Sequence, residues 1–309
     1  MNAIECEHLT RAYGRALAVN DVTFAVPAGS IFALLGPNGA GKTTTLKLLL
    51  NLLRPTSGLA SVLGCETTRL TKAHFRRIGY VAEDQIYPEW MTVSQLLDYY
   101  RPFYPSWDDA LARRLTVMFD LPEDRPLKKL SRGMRMKAIL LTILPFHPEL
   151  LLLDEPFGGL DPQVRDDFIR GMLETVGSDR PNTVIISSHD IAEVEQLADW
   201  VGILLGGKLI LAEPMISLQA RFRRLEIVGA SVASRLPDRL PPAWLKVERP
   251  ASTVVQLIHN AFTNSVAAEA EVRAILGEIK IKPYPMTLRE IFLVHSDLGR
   301  IEKKGQRHE

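Results

Sequence analysis

Short apolar runs alternate with helix-period segments through about the first 215 residues. Residues 30–35 (SIFALL) read as a compact buried strand. Behind them Leu46, Leu49, Leu50 and Leu53 recur at i, i+3, i+4 and i+7, which predicts a helix ended by Pro55. LLLLD at 150–154 and TVIISSH at 183–189 read as two more buried strands with polar ends, and Val164, Phe168, Met172 and Leu173 mark a helix connecting them. This alternation predicts an α/β sheet protein. Residues 88–147 interrupt it with consecutive helical patterns and turns at Pro102, Pro105 and Pro122, one helix carrying the aromatic cluster Tyr99, Tyr100, Phe103, Tyr104 and Trp107. They read as an inserted helical subdomain.

After about residue 215 the pattern restarts. RRLEIVG, WLKVERP and TVVQLIHN are strand candidates, SVAAEAEVRAILGE a helix, IKIKPYP a strand and TLREIFLV a helix. A chain of 309 residues suits about two domains of roughly 150 each, so the expected boundaries are 1–215 for the α/β domain and 216–309 for a small α+β accessory domain.

Charge and composition act mainly by exclusion. Lys+Arg number 37 against Asp+Glu 36, a net +1, so no global field recruits polyanions. The thin basic excess of the C-terminal part forms no stripe, and no nucleic-acid partner is expected. Cys6 and Cys65 are the two cysteines, too few for a disulfide scaffold. The opening residues lack the apolar core of a signal peptide. The long uncharged stretches, 24–41 and 250–268, are broken by Gly, Pro and polar residues, so no transmembrane helix is expected and any membrane role must come through a partner.

The chemistry begins at residues 36–43, GPNGAGKT, which match G-x-x-x-x-G-K-[ST] between a predicted strand and a predicted helix. Glycines without Cβ let successive backbone N–H groups curl around phosphate oxygens, and the following helix turns its positive end toward them. Gly36, Pro37, Asn38, Gly39, Ala40 and Gly41 form that cradle. Lys42 would neutralise the β- and γ-phosphates, Thr43 would offer its hydroxyl to Mg²⁺, and Thr44 would lie near the α- and β-phosphates. LLLLDEP supplies the other half: a buried strand ending in two carboxylates puts Asp154 where it can hold Mg²⁺ through water and Glu155 where it can polarise an attacking water.

With those motifs in this order, the sequence resembles the nucleotide-binding subunit of an ATP-binding cassette (ABC) transporter over about residues 3–215. GPNGAGKTT looks like the family's Walker A motif and LLLLDEP its Walker B. LSRGM at 130–134 stands at the signature position, GGLD at 158–161 resembles the D-loop, and SSHD at 187–190 the switch-histidine loop. The resemblance implies a P-loop NTPase cassette and an ATPase needing ATP and Mg²⁺. It also implies a head-to-tail dimer, homomeric or heteromeric, and a separate transmembrane permease that holds the chain on the cytoplasmic face of the membrane. In such a dimer Ser131 and Gly133 touch the γ-phosphate bound by the other subunit, His189 holds that phosphate and the attacking water, Asp161 links the two sites, and Tyr13 stacks on adenine.

Two departures stand out. The signature normally reads LSGGQ, and here Arg132 and Met134 replace a Gly and the Gln; beside a γ-phosphate the arginine would add a charge-assisted contact. In IGYVAED the family's Mg²⁺-touching glutamine position is Glu83, a carboxylate able to ligate the metal, with Gln85 two residues on as a substitute. The signature variant, Glu83 and the TLREIFL-like tail look like the bacterial drug, antibiotic and small-molecule exporter branch. The alternative reading is a soluble ABC ATPase of translation or DNA repair. The aromatic cluster is either a groove for a permease helix or part of an internal helical core.

Overall fold

The computed structural model describes residues 1–83, 85–176 and 182–305. It divides into two compact units, 1–212 and 213–309, each with its own core. In the first unit, β1 (Asn2–Tyr13), β2 (Ala16–Pro27) and the shorter β4 (Ser57–Val62) and β5 (Cys65–Glu66) form a four-stranded antiparallel sheet in the order β2-β1-β4-β5. This sheet escapes a reading based on apolar runs. Its strands alternate buried and exposed positions, with register shifts that break the period of two, and so look like loop sequence.

The second sheet of this unit has six strands: β3 (Ile31–Leu35), β6 (Ile78–Val81), β7 (Leu150–Asp154), β8 (Thr183–Ser188), β9 (Trp200–Leu205) and β10 (Lys208–Pro214), ordered β10-β9-β3-β8-β7-β6. From β9 to β6 the neighbours run parallel. Strands buried on both faces need continuous apolar sequence, which is why SIFALL, LLLLD and TVII were readable as strands. Parallel register has a functional consequence: Leu35 pairs with Ser188 and Asp154 with Ser187, so the C-terminal ends of β3, β7 and β8 open onto one edge.

Helix α1 (Lys42–Leu49) follows β3 and lies in a core shared by both sheets, with Phe24, Phe32, Leu34, Leu46, Leu49 and Leu152 among its members. Each such side chain contributes about 1.5–3 kcal/mol by leaving water. The helix ends at Leu49, earlier than Pro55 would dictate. Asn51 adopts a left-handed φ of 54°, its N–H donates to Leu48 O at 3.1 Å and Leu52 N–H to Lys47 O at 2.9 Å, a Schellman closure. Leu53 still reaches the core, from outside the helix.

A four-residue α2 (Lys72–Phe75) precedes β6. Residues 88–147 carry α3 (Val93–Tyr100), α4 (Asp109–Met118) and α5 (Arg132–Leu141), N-capped by Thr92, Asp108 and Ser131 side chains. The aromatic cluster is split in exposure. Half-buried Tyr104 stacks on buried Phe146 with centroids 3.8 Å apart, whereas Tyr99 and Phe103 are exposed. Helix α6 (Pro162–Val176) connects β7 to β8, and the short α7 (Ile191–Val194) follows β8.

The second unit opens with α8 (Met215–Arg221) and is built on an antiparallel sheet of β11 (Arg223–Val228), β12 (Trp244–Ala251), β13 (Val254–His259) and β14 (Lys280–Pro285), ordered β12-β13-β11-β14. Leu225, Ile227, Trp244 and Leu257 pack with Val272 and Leu276 of α9 (Ser265–Leu276). Glu271 of α9 accepts from Trp244 Nε1 at 2.8 Å and meets His259 Nε2 at 3.1 Å, satisfying two buried polar groups. Helix α10 (Leu288–Gly305) follows β14, tied to the sheet by Arg224–Glu290 and Lys246–Asp297.

Candidate nucleotide-binding site

The loop at residues 36–43 leaves the end of β3 and enters α1 through positions where a side chain has no room. A Cβ at Gly36 would stand 2.4 Å from Leu204 O, and one at Gly41, where φ is +105°, 2.2 Å from Ala18 O. Gly39 is also left-handed but faces open space. Pro37 and Asn38 are exposed, Ala40 N–H turns back to Pro37 O at 3.1 Å, and Ala40 O accepts from Gly207. Residues 38–44, with Ala18, Glu83 and Glu155, line a cleft of about 380 Å³. Lys42, Thr43 and Thr44, the first residues of α1, are in its lining, and a helix N-terminus is the end that favours a phosphate group.

Lys42 is buried. Its ammonium donates to Gly36 O at 2.7 Å and Pro37 O at 3.3 Å, and lies 3.0 Å from Glu155 Oε1. The other carboxylate oxygen of Glu155 lies 2.7 Å from His189 Nδ1 and accepts from the His189 backbone N–H at 3.3 Å. Lys42, Glu155 and His189 thus form one line of contacts across the strand ends. Glu155 has a left-handed φ of 49°, rare for a residue with a side chain, and is pinned there by its N–H bonded to Ser187 O and Ser187 Oγ.

Beside that line, Asp154 is fully buried. Its Oδ1 accepts from Thr43 Oγ1 at 3.0 Å and Ser187 Oγ at 2.6 Å, while its Oδ2 has no hydrogen-bond partner among the described residues. A hydroxyl, a shared carboxylate oxygen and an unpartnered buried carboxylate oxygen are the hard donors that Mg²⁺ prefers, so the residues fit that ion. Nearby Tyr80 has its hydroxyl pushed up to about 12 by burial and by the Asp154 charge, so it stays protonated. Ser187 was not singled out from the sequence; its signal was a hydroxyl directly after the apolar Val184–Ile186 run, one position before the last residue of β8.

The other candidates lie elsewhere. Tyr13, at the turn between β1 and β2, is exposed, outside the lining of the cleft, and its ring carries the Arg11 guanidinium 4.7 Å from its centroid. Gln85 folds back to accept from Ala82 N–H at 3.2 Å. Ser131 caps α5 by accepting from Met134 N–H at 3.2 Å, and Asp161 caps α6 by accepting from Val164 N–H at 3.0 Å. Gly133 is buried where a Cβ would stand 2.8 Å from Val164 Cγ2. Arg132 lies against Gly158 and Gly159 of its own chain. None of these six joins the Lys42–Glu155–His189 line.

A glycine cradle, a lysine and a Thr–Asp pair at the C-terminal edge of a parallel sheet define the class of P-loop nucleotide-binding proteins. Comparison with known proteins narrows the class. The ABC transporter family model matches residues 19–158. A bacitracin transport ATP-binding protein of Bacillus licheniformis is 35% identical over 223 residues, covering 72% of either chain. A lantibiotic transport ATP-binding protein of Streptococcus pyogenes is 34% identical over 215 residues, covering 67% of this chain and 89% of its own. The solved structure of an ATP-binding subunit of an ABC transporter superposes with a TM-score of 0.63 at 27% identity, over 70% of this chain and 92% of that one. The protein belongs to the ABC transporter ATP-binding family. Among the described residues no helix is long and apolar enough to cross a membrane.

Proposed function

We propose that the chain hydrolyses ATP as the motor subunit of a bacterial exporter. It pairs through its signature region with a second ATP-binding subunit and drives a separate transmembrane permease from the cytoplasmic face. The carrying observation is the convergence of Lys42, Glu155 and His189 beside the Thr43–Asp154 pair on one sheet edge. Both oxygens of Glu155 are engaged in this arrangement, one by the Lys42 ammonium and one by His189. A triphosphate in the 36–44 cradle gives Lys42 a stronger anionic partner. Glu155 is then released to take a proton from an attacking water, while His189 keeps its carboxylate oriented. Thr43 and Asp154 would hold Mg²⁺, with Glu83 at the rim of the same cleft; the ion supplies charge neutralisation of the phosphates.

Ser131 and Gly133, at the start of α5, would meet the nucleotide of the second subunit, with Asp161 at the shared seam and Tyr13 against the adenine. Exposed Ile86, Trp90, Tyr99 and Phe103 offer the permease an apolar docking surface of large, stiff side chains. The relatives' names point to peptide antibiotics or similar small molecules as cargo.

Glu155→Gln should cut steady-state phosphate release at least a hundredfold while ATP still binds and traps a dimer, seen as an ATP-dependent shift in size-exclusion chromatography. Turnover near wild type would remove Glu155 from the role of base. Lys42→Ala should abolish tight nucleotide binding in a titration, and unchanged affinity would remove the cradle.

A further inference from the structure

Residues 155–161 join β7 to α6 and carry Glu155 at one end and Asp161 at the other. Midway, Gly159 is left-handed with φ +69°, and the guanidinium of Arg132, from the first turn of α5, lies over it. A Cβ built on Gly159 would stand 2.8 Å from Arg132 Nη1, 3.3 Å from Cζ and 3.8 Å from Nε, and one on Gly158 would be 3.7 Å from Nη2. Those distances put the arginine head against two glycines, in the space a side chain at Gly159 would need. The same helix is fixed to α6 at two further points. Gly133 admits Val164 where no side chain would fit, and Lys137 Nζ donates to Asp167 Oδ2 at 2.6 Å and to Phe119 O at 3.3 Å.

We propose that Arg132 is a positioning residue for ATP hydrolysis: its guanidinium passes displacement of α5 to residues 155–161 and so sets where Glu155 presents its carboxylate. The inference rests on Glu155 being the base and on the start of α5 meeting a nucleotide. A guanidinium suits the task because it is flat, stays charged and lies on peptide planes, whereas an ammonium is a compact point charge that cannot. Two side-chain-free positions beneath it leave the backbone bare for that contact. This role differs from a charge placed beside a partner's phosphate, and lysine separates the two: it keeps the charge and loses the plane.

The test is steady-state ATPase of the purified full chain against ATP concentration, with melting temperatures measured in parallel. Arg132→Ala and Arg132→Lys should both lower kcat about tenfold, the scale of a small misplacement of a reacting group, with KM for ATP within about twofold of wild type. The Arg132→Ala/Gly159→Ala double variant should be no slower than the slower single variant, because one contact is removed twice. If Arg132→Ala does not fold, Arg132→Gln and Arg132→Lys, which keep the stem, carry the same comparison. A lysine variant restored to more than half of wild-type kcat, or an alanine variant within twofold of it, overturns the positioning role. Glu155→Gln, run alongside, keeps the premise separate: hydrolysis at the wild-type rate there would overturn the assignment of the base whatever Arg132 does.

Discussion

Glu155 occupies a backbone conformation that costs of order 1–3 kcal/mol for a residue with a side chain. The surrounding bonds over-determine it: Ser187 binds its N–H twice, and Lys42 and His189 hold its two oxygens. Ser187 serves both acidic residues, because its hydroxyl also donates to Asp154. Ser187→Ala should therefore leave Asp154 Oδ1 with Thr43 alone and raise the Mg²⁺ concentration needed for half-maximal ATPase several-fold, with about 1 kcal/mol lost in stability. A magnesium titration of activity checks it, and an unchanged midpoint would show that Thr43 suffices. That Gly36, Lys42, Thr43, Asp154 and Glu155 would lie together was legible in the chain, since phosphate and magnesium chemistry calls for those residue types at that spacing. Ser187 and the strain at Glu155 were not, because both depend on which strand lies beside β7.

The strands of the parallel sheet were legible for a simple reason. Two-sided burial demands uninterrupted apolar sequence, and LLLLD coincides with β7 residue for residue. The antiparallel β1–β2–β4 layer was not, because one-sided burial with register shifts leaves a weak period. Helix α1 ended earlier than its leucine spacing indicated, since Asn51 supplied a left-handed closure that outranked Pro55. Between α5 and α6 the Lys137–Asp167 pair is mostly buried, an arrangement no periodicity announces. Asp167→Ala should leave the ammonium with the Phe119 carbonyl and destabilise the protein by about 3 kcal/mol, while Lys137→Met with Asp167→Leu should be near neutral. Urea unfolding of the two variants makes the comparison, and equal losses would show that the pair itself contributes net stability.

Each of the two units has a core of its own, so residues 213–309 should fold when expressed alone, with β-sheet circular dichroism and a cooperative melt. That unit should be acid-sensitive. Burial, reinforced by the Arg221 charge and opposed by Glu213, holds the His295 imidazole below its ordinary value of 6.5. The unfolded chain then binds more protons than the folded one as pH falls below about 6.5, so stability is complete above that value and declines beneath it. Melting temperatures between pH 8 and pH 5 should show the decline, and His295→Leu should flatten it; an unaltered pH profile would assign the sensitivity to other groups. The order of motifs along the chain was enough to commit it to a P-loop cassette fold and a transporter ATP-binding family, because phosphate chemistry dictates residue types at short range. Folding alone decided that Arg132 rests on its own glycines, that Asp154 shares Ser187 with its neighbour, and that Lys42 and His189 engage one carboxylate. The longest of those contacts, Lys42 to Glu155, joins residues 113 positions apart, and chain-local patterns carry no record of it.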